Sequence, residues 1–286
     1  MTAKLLNISE QDYHADKLDE TPTLSVSIGH TLTSQSPAHA YLAHPRLGGQ
    51  TRDPTDAQTN GSLIHELVLG DGPGIEVIDA DSWRTKAAKE SRCNARAEGK
   101  TPVLVGKFNA AKIAAHAIRE RIADLGISLD GGAVEQTIHW QYHWHGGGVA
   151  CRSRLDWLDL DSATVIDFKT IKSANPDTCA RHMLDYGYAM QGVAYPRAVE
   201  DLRPDLAGKV SMLFLFCEIE PPFAVTPATC AGSMREIGRR RWDRAVELWD
   251  KCLTEKHWPG YVSETIRLEA PAWAVAREME EDTDDE

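Results

Sequence analysis

Asp167 and Lys169 stand two residues apart in the segment Val165-Ile166-Asp167-Phe168-Lys169-Thr170. In an extended chain that spacing sends both side chains to one face, with Ile166 and Phe168 on the other. Upstream, Arg154-Leu155-Asp156-Trp157 supplies a second acid, and a tight turn at Asp161-Ser162 would lay Asp156 beside Asp167. Two carboxylates at close range repel unless a cation lies between them, and hard oxygen donors suit Mg²⁺, with Mn²⁺ as a substitute. A metal held there could neutralise a phosphodiester and activate water, while Lys169 orients that water or steadies the developing charge. The carbonyl of Phe168, between the two side chains, could add a further oxygen ligand. A D-x-K triplet alone is common by chance, and its bland reading is a surface salt bridge, so the neighbouring elements decide its meaning.

Those elements read as follows along the chain. Val134 to Trp140 is extended, His145-Gly146-Gly147-Gly148 turns the chain, Val149 to Leu160 forms a second strand, and Asp161-Ser162 leads into a third from Ala163 to Thr170. Strict alternation sets Glu135 on the face opposite Val134, Gln136 and Ile138, where it either points at the acids or faces solvent. Before this meander, Ser36-Pro37 starts a short helix and Asn60-Gly61-Ser62 opens another. The apolar stripe Leu63, Ile64, Leu67 and Val68 of that second helix leaves His65 beside it. Trp83 to Lys100 is an exposed helix or loop rich in cations, and Ala110 to Leu125 is a helix stopped by Gly126. After the meander come a helix from Asp177 to Glu200, the apolar strand Val210 to Cys217, and a long helix from Thr229 to Lys256. The expected fold class is α/β, a central mixed sheet made of an antiparallel meander plus a further strand, flanked by helices.

Composition sets the outer limits. The chain has 286 residues, 42% hydrophobic and 26% charged, enough to bury a core without crosslinks. No apolar run approaches the roughly 20 residues that a membrane span needs, and Met1 to Asn7 lacks the apolar stretch of a secretory signal, so no membrane partner and a cytoplasmic location are expected. Cys93, Cys151, Cys179, Cys217, Cys230 and Cys252 are scattered with no CxxC pair, which predicts reduced thiols and no structural zinc. The net charge of −12 argues against a nucleic-acid partner until its distribution is considered: seven of the carboxylates fall in the last nine residues. One domain is expected over residues 1–275, with a core at about 55–256 and an N-terminal elaboration over 1–54, followed by an acidic, disordered tail over 276–286. No GxxxxGK[ST] loop is present, so no use of ATP is expected.

Taken in order along the chain, these residues resemble the PD-(D/E)XK nuclease superfamily, and within it the phage-type exonuclease VIII (RecE-like) and RecB-like groups. Gly61-x-x-x-His65 looks like the helical histidine motif, Glu135 like the acid of the first core strand, and Asp156 with Asp167-Phe168-Lys169 like the metal-binding and catalytic residues. Gln191-Gly192-Val193-Ala194-Tyr195 looks like the QxxxY motif; its two ends are four apart and share a helix face, where a tyrosine is ordinarily core. Ile8 to His14 and Trp83 to Lys89 look like the exonuclease VIII group. The acid before the lysine is Asp167 where Glu is commoner, and the cysteines do not cluster as in iron-sulfur relatives, so no such cluster is expected. The resemblance implies His65, Glu135, Asp156 and Asp167 as metal ligands, Lys169 as the base-side residue, and Gln191, Tyr195, Arg84, Lys86 and Lys89 as DNA-positioning or supporting residues. For the last three the bland reading is a solvated face. It further implies a 5′–3′ exonuclease on linear duplex DNA acting in recombination or repair, a ring-shaped homo-oligomer (trimer or tetramer), and a single-strand annealing protein as partner. The rival readings are a RecB-like single-strand nuclease or structure-specific endonuclease, and a non-catalytic DNA-binding recombination adaptor.

Overall fold

A computed structural model describes residues 3–50, 55–70, 72, 74–144 and 147–281. The chain opens with an edge strand, β1 (Lys4–Leu6), and three short helices, α1 (Glu10–His14), α2 (Val26–Ser34) and α3 (Pro37–Ala43). Next come α4 (Asp56–Leu69), β2 (Ile75–Ile78), α5 (Lys86–Ala97), β3 (Thr101–Leu104) and α6 (Val105–Asp124). The meander follows as β4 (Ala133–Trp144), β5 (Gly147–Asp159) and β6 (Thr164–Ile171), then α7 (Pro176–Asp185), α8 (Tyr188–Leu202), β7 (Ser211–Glu218), β8 (Val225–Ala228), α9 (Gly232–Glu255) and α10 (Ala272–Glu281).

Six strands form one mixed sheet in the order β1-β4-β5-β6-β7-β8, and β2 with β3 makes a separate parallel pair. Only β6 and β7 run parallel within the large sheet, joined by the crossover through α7 and α8. Both faces are covered, which explains why β7 is apolar at nearly every position. One core holds Trp140, Phe214, Phe216, Trp242 and Trp249 beneath α2, α8 and α9. The other holds Leu63, Ile118, Trp157, Ile166 and Leu215 beneath α4 and α6. At the closest approach of α8 and α9, a methyl added to Gly238 would lie 2.0 Å from the Ala189 carbonyl oxygen, so the two backbones nearly touch.

The N-terminal segment is tied down by a buried ionic knot. Asp16 is fully buried; its carboxylate accepts the Thr23 amide at 2.9 Å and pairs with Arg152 Nη1 at 3.0 Å and His44 Nε2 at 3.3 Å. Burial works against the Asp16 charge, but His44, Arg152 and Thr23 outweigh it and hold the carboxyl below the usual range.

Several expectations need correction. α4 begins four residues before Asn60, because Thr55 and Gln58 close a capping box ahead of it. The helix expected over Asp177 to Glu200 is two helices, broken where Gly187 takes a left-handed φ of 76° and a methyl there would crowd His30 at 2.9 Å. Part of the tail expected to be disordered from residue 276 is helical in α10. Residues 282–286 of that tail, and His145 and Gly146 of the expected turn, lie outside the described residues. Among the described residues no helix is long and apolar enough to cross a membrane.

Candidate metal centre

The antiparallel ladder between β5 and β6 pairs Trp157 with Ile166, Leu158 with Val165 and Asp159 with Thr164, and goes no further. The next pair in that register is Asp156 opposite Asp167, where the two strands part. The missing ladder contact is replaced by a side chain: the Phe168 N–H donates to Asp156 Oδ2 at 2.7 Å. An amide stripped of its strand partner needs another acceptor when shielded from water, and the Asp156 carboxylate fills that need while turning into the gap.

A second irregularity sits across the sheet. Glu135 has a φ of 56°, a left-handed conformation that costs a non-glycine residue roughly 1–2 kcal/mol. Val134 packs into the α4–α6 core, whereas Ile138 and Trp140, at the same parity, pack into the α8–α9 core. The alternation assumed from sequence therefore reverses at Glu135. β5 does the same at the facing position: Leu155 lies in one core and Trp157 in the other, with Asp156 between them. Both strands exchange faces at the point where they carry a carboxylate.

His65 on α4 closes the cluster from above. Its Nδ1 lies 3.1 Å from Glu135 Oε1 and its Nε2 lies 3.1 Å from Asp156 Oδ2. The ring meets Phe168 edge to face at 6.0 Å, which holds its orientation. Burial opposes a charge on this imidazole, but the nearby Asp156, then Glu135 and Asp167, raise its pKa to about 9. Burial pushes the Glu135 carboxyl up against the opposing charge of His65, while His65 outweighs burial at Asp156 and holds that carboxyl low. One ligand atom from each of His65, Glu135 and Asp156 falls within 4.8 Å of the others. One imidazole nitrogen and two carboxylate oxygens so close together, under high negative charge, suit a divalent cation.

Asp167 and Lys169 share a face of β6 beside this cluster and form an ion pair with each other. Asp167 is almost wholly buried and stands outside the three-ligand group. Burial, with the Asp156 charge adding to it, pushes the Asp167 carboxyl well above the usual carboxylate range. The Lys169 ammonium lies 4.4 Å from the centre of the Tyr188 ring, and the charges of Asp167 and Asp156 outweigh burial to keep it protonated. Gln191 Nε2 donates to the Tyr195 hydroxyl at 3.0 Å on α8, the tyrosine being buried on the same side of the sheet as Tyr188. His65, Glu135, Asp156, Phe168, Lys169, Tyr188 and Tyr195 line one cleft of about 390 Å³, with Arg154, Glu10 and Tyr13 on its wall, while Asp167 and Gln191 lie behind it.

Arg84, Lys86 and Lys89 are exposed and do not line this cleft; Lys86 faces Glu90 of its own helix. The amide of Phe168 is engaged as described, and its carbonyl as a ligand stays an expectation. Two contributors escaped the sequence reading. Arg154 donates from Nε to Glu135 Oε2 and so aims that carboxylate, and its place two residues before Asp156 on one strand was the available signal. Tyr188 lies three residues before Gln191, on the same helical face, and the same periodicity could have found it.

A profile for a PDDEXK-like domain of unknown function (DUF3799) matches residues 25–269. The crystal structure of a protein from Eubacterium rectale, assigned as an exonuclease, superposes with a TM-score of 0.61 at 10% identity, covering 92% of this chain and 97% of that one. The crystal structure of SSO0001 covers 86% of this chain at 10% identity with a TM-score of 0.34, too low to carry weight. No curated protein sequence matches significantly.

Proposed function

The chain belongs to the PDDEXK-like family DUF3799, and from that premise we propose that it is a metal-dependent deoxyribonuclease hydrolysing linear double-stranded DNA. The observation that carries this reading is the convergence of His65, Glu135 and Asp156 on one point of a cleft that Lys169, the ion-pair partner of Asp167, also lines. His65, Glu135 and Asp156 hold a divalent cation, Mg²⁺ or Mn²⁺, with Asp167 and the Phe168 carbonyl completing the ligand set. When bound, the cation neutralises the scissile phosphate and lowers the pKa of a water. The protein's own groups do the rest. Lys169, held between Asp167 and the Tyr188 ring, would orient the attacking water or steady the developing charge with its ammonium. Arg154 keeps Glu135 turned toward the site, and the Phe168 amide keeps Asp156 turned toward it. Gln191 and Tyr195 support the lysine side of the cleft and position DNA.

The exonuclease VIII resemblance of the motifs supports 5′–3′ resection in recombination or repair, with a ring-shaped homo-oligomer and an annealing protein receiving the product. End-labelled linear duplex and covalently closed circular duplex, incubated with Mg²⁺ or Mn²⁺, separate the readings. An exonuclease degrades the linear form and spares the circle, and Asp167→Ala and Lys169→Ala abolish the activity. Nicked or linearised circles would point to an endonuclease. Intact DNA of both forms with either metal would refute the enzyme.

A further inference from the structure

Residues two apart in an unbroken helix point away from each other. The break at Gly187 changes that for Tyr186, at the end of α7, and Tyr188, at the start of α8: their rings stack 27° from parallel with centres 5.9 Å apart. Inward, the stack continues from Tyr188 to Phe214 of the core at 6.5 Å, and the Lys169 ammonium lies 4.4 Å from the Tyr188 ring centre in the metal cleft that both residues line. Outward, it ends in Tyr186, which is 57% exposed, with the His182 ring tilted against it at 4.8 Å. The turn that carries this outer ring is held in place. Arg241 Nη1 donates to the Leu184 carbonyl at 2.6 Å from α9, and a side chain at Gly187 would crowd His30.

Packing alone asks a tyrosine to bury its ring. Tyr186 leaves more than half of its surface in water and yet keeps its ring aligned with a stack that begins beside Lys169. An exposed, aligned aromatic ring is a surface on which any nucleobase can stack, because every base has a π-face. A platform already held rigid loses little conformational freedom when the base arrives. We infer that Tyr186, with His182 beside it, is a stacking subsite for the base of a nucleotide close to the scissile phosphate. A base inside a duplex is covered on both faces, so the subsite takes one that has come out of its pair at the strand end. The inference rests on the proposed action on DNA and goes beyond it by naming the residue that takes the base.

Two remotely labelled linear duplexes, each with an unpaired nucleotide at both ends, differ only in that nucleotide: 2-aminopurine in one, an abasic residue in the other. Fluorescence anisotropy of the full chain in EDTA compares their affinities without cleavage, and 2-aminopurine emission reports stacking. The wild type binds the 2-aminopurine duplex about five- to hundredfold more tightly and quenches its emission. Tyr186→Ala brings that duplex down to the abasic affinity, restores the emission and leaves the abasic duplex unchanged, whereas Tyr186→Phe and Tyr186→Trp keep the preference. A tyrosine that only supports the turn would weaken both duplexes alike. Equal wild-type affinities (no binding of either included), an unquenched base, or equal losses on both duplexes in Tyr186→Ala would overturn the assignment. The two proposals fail separately. Base-selective binding through Tyr186 in a protein that cuts nothing with Mg²⁺ or Mn²⁺ keeps the subsite and removes the nuclease, whereas cleavage with no dependence on the terminal base does the reverse.

Discussion

Asp156→Asn isolates the charge that His65 answers to. The amide oxygen of the new side chain can still accept the Phe168 N–H, so the parting of β5 and β6 is preserved while one negative charge is lost. In the metal-free protein the His65 pKa rises from 6.5 to about 9, and Asp156 is the largest of the favourable causes. At about 1.4 kcal/mol per pKa unit, the whole cluster stabilises the imidazolium by on the order of 3 kcal/mol. A raised histidine pKa contributes fully below the unfolded value and loses its contribution as the pH climbs through the folded one. Asp156 itself stays ionised throughout, since its own pKa is held low. The variant should therefore be less stable than the wild type by about 2–3 kcal/mol near pH 6. Near pH 9.5 the difference should shrink to zero or reverse, because a neutral His65 leaves Glu135 and Asp156 facing each other as like charges. Urea unfolding in EDTA at the two pH values measures both differences. A cost that is the same at both would refute the account of His65 as the counter-ion of the cluster.

Lys169→Ala should lower single-turnover cleavage about a hundred- to ten-thousandfold while most of the Mn²⁺ affinity by calorimetry is kept, because the lysine pairs with Asp167 alone and leaves His65, Glu135 and Asp156 in place. Asp16→Asn should cost about 3–5 kcal/mol in urea unfolding at neutral pH, since Arg152 stays buried without its partner. As the Asp16 pKa is depressed in the fold, the wild-type advantage holds above about pH 4 and disappears as the pH falls through the folded pKa. Gly238→Ala should lower the melting temperature by forcing α8 and α9 apart, at a cost of roughly 1–3 kcal/mol.

Much of the site could be read along the chain because two-residue periodicity and one tight turn fix geometry locally. Asp167 and Lys169 share a face, and the turn after Asp159 brings Asp156 opposite Asp167, both from spacing alone. Glu135 resisted the same logic. Its left-handed backbone reverses the facing of β4, and no local preference of a glutamate asks for that conformation; the demand comes from the packing of two cores against one strand. The short strands β1, β2, β3 and β8 carry too few residues to show a period, so pairing alone defines them. The break at Gly187 and the capping box at Thr55 and Gln58 had local signatures and were legible in principle. The basic stretch of α5 was recognisable, but not which of its cations turn inward: Arg92 and Arg96 face a cleft while Lys86 and Lys89 face away.

The single hydrogen bond from the Phe168 amide to Asp156 gives the protein a built-in reporter. Neighbouring amides along β6 answer to the backbone of β7, and their solvent exchange registers the opening of the sheet. This one answers to a side chain, so its exchange rate and chemical shift follow the orientation of one carboxylate. A cation bound by Asp156 would shift the Phe168 resonance through this shared carboxylate while the exchange of the rest of the strand stays unchanged. One nitrogen resonance can thus distinguish filling of the metal centre from tightening of the whole fold.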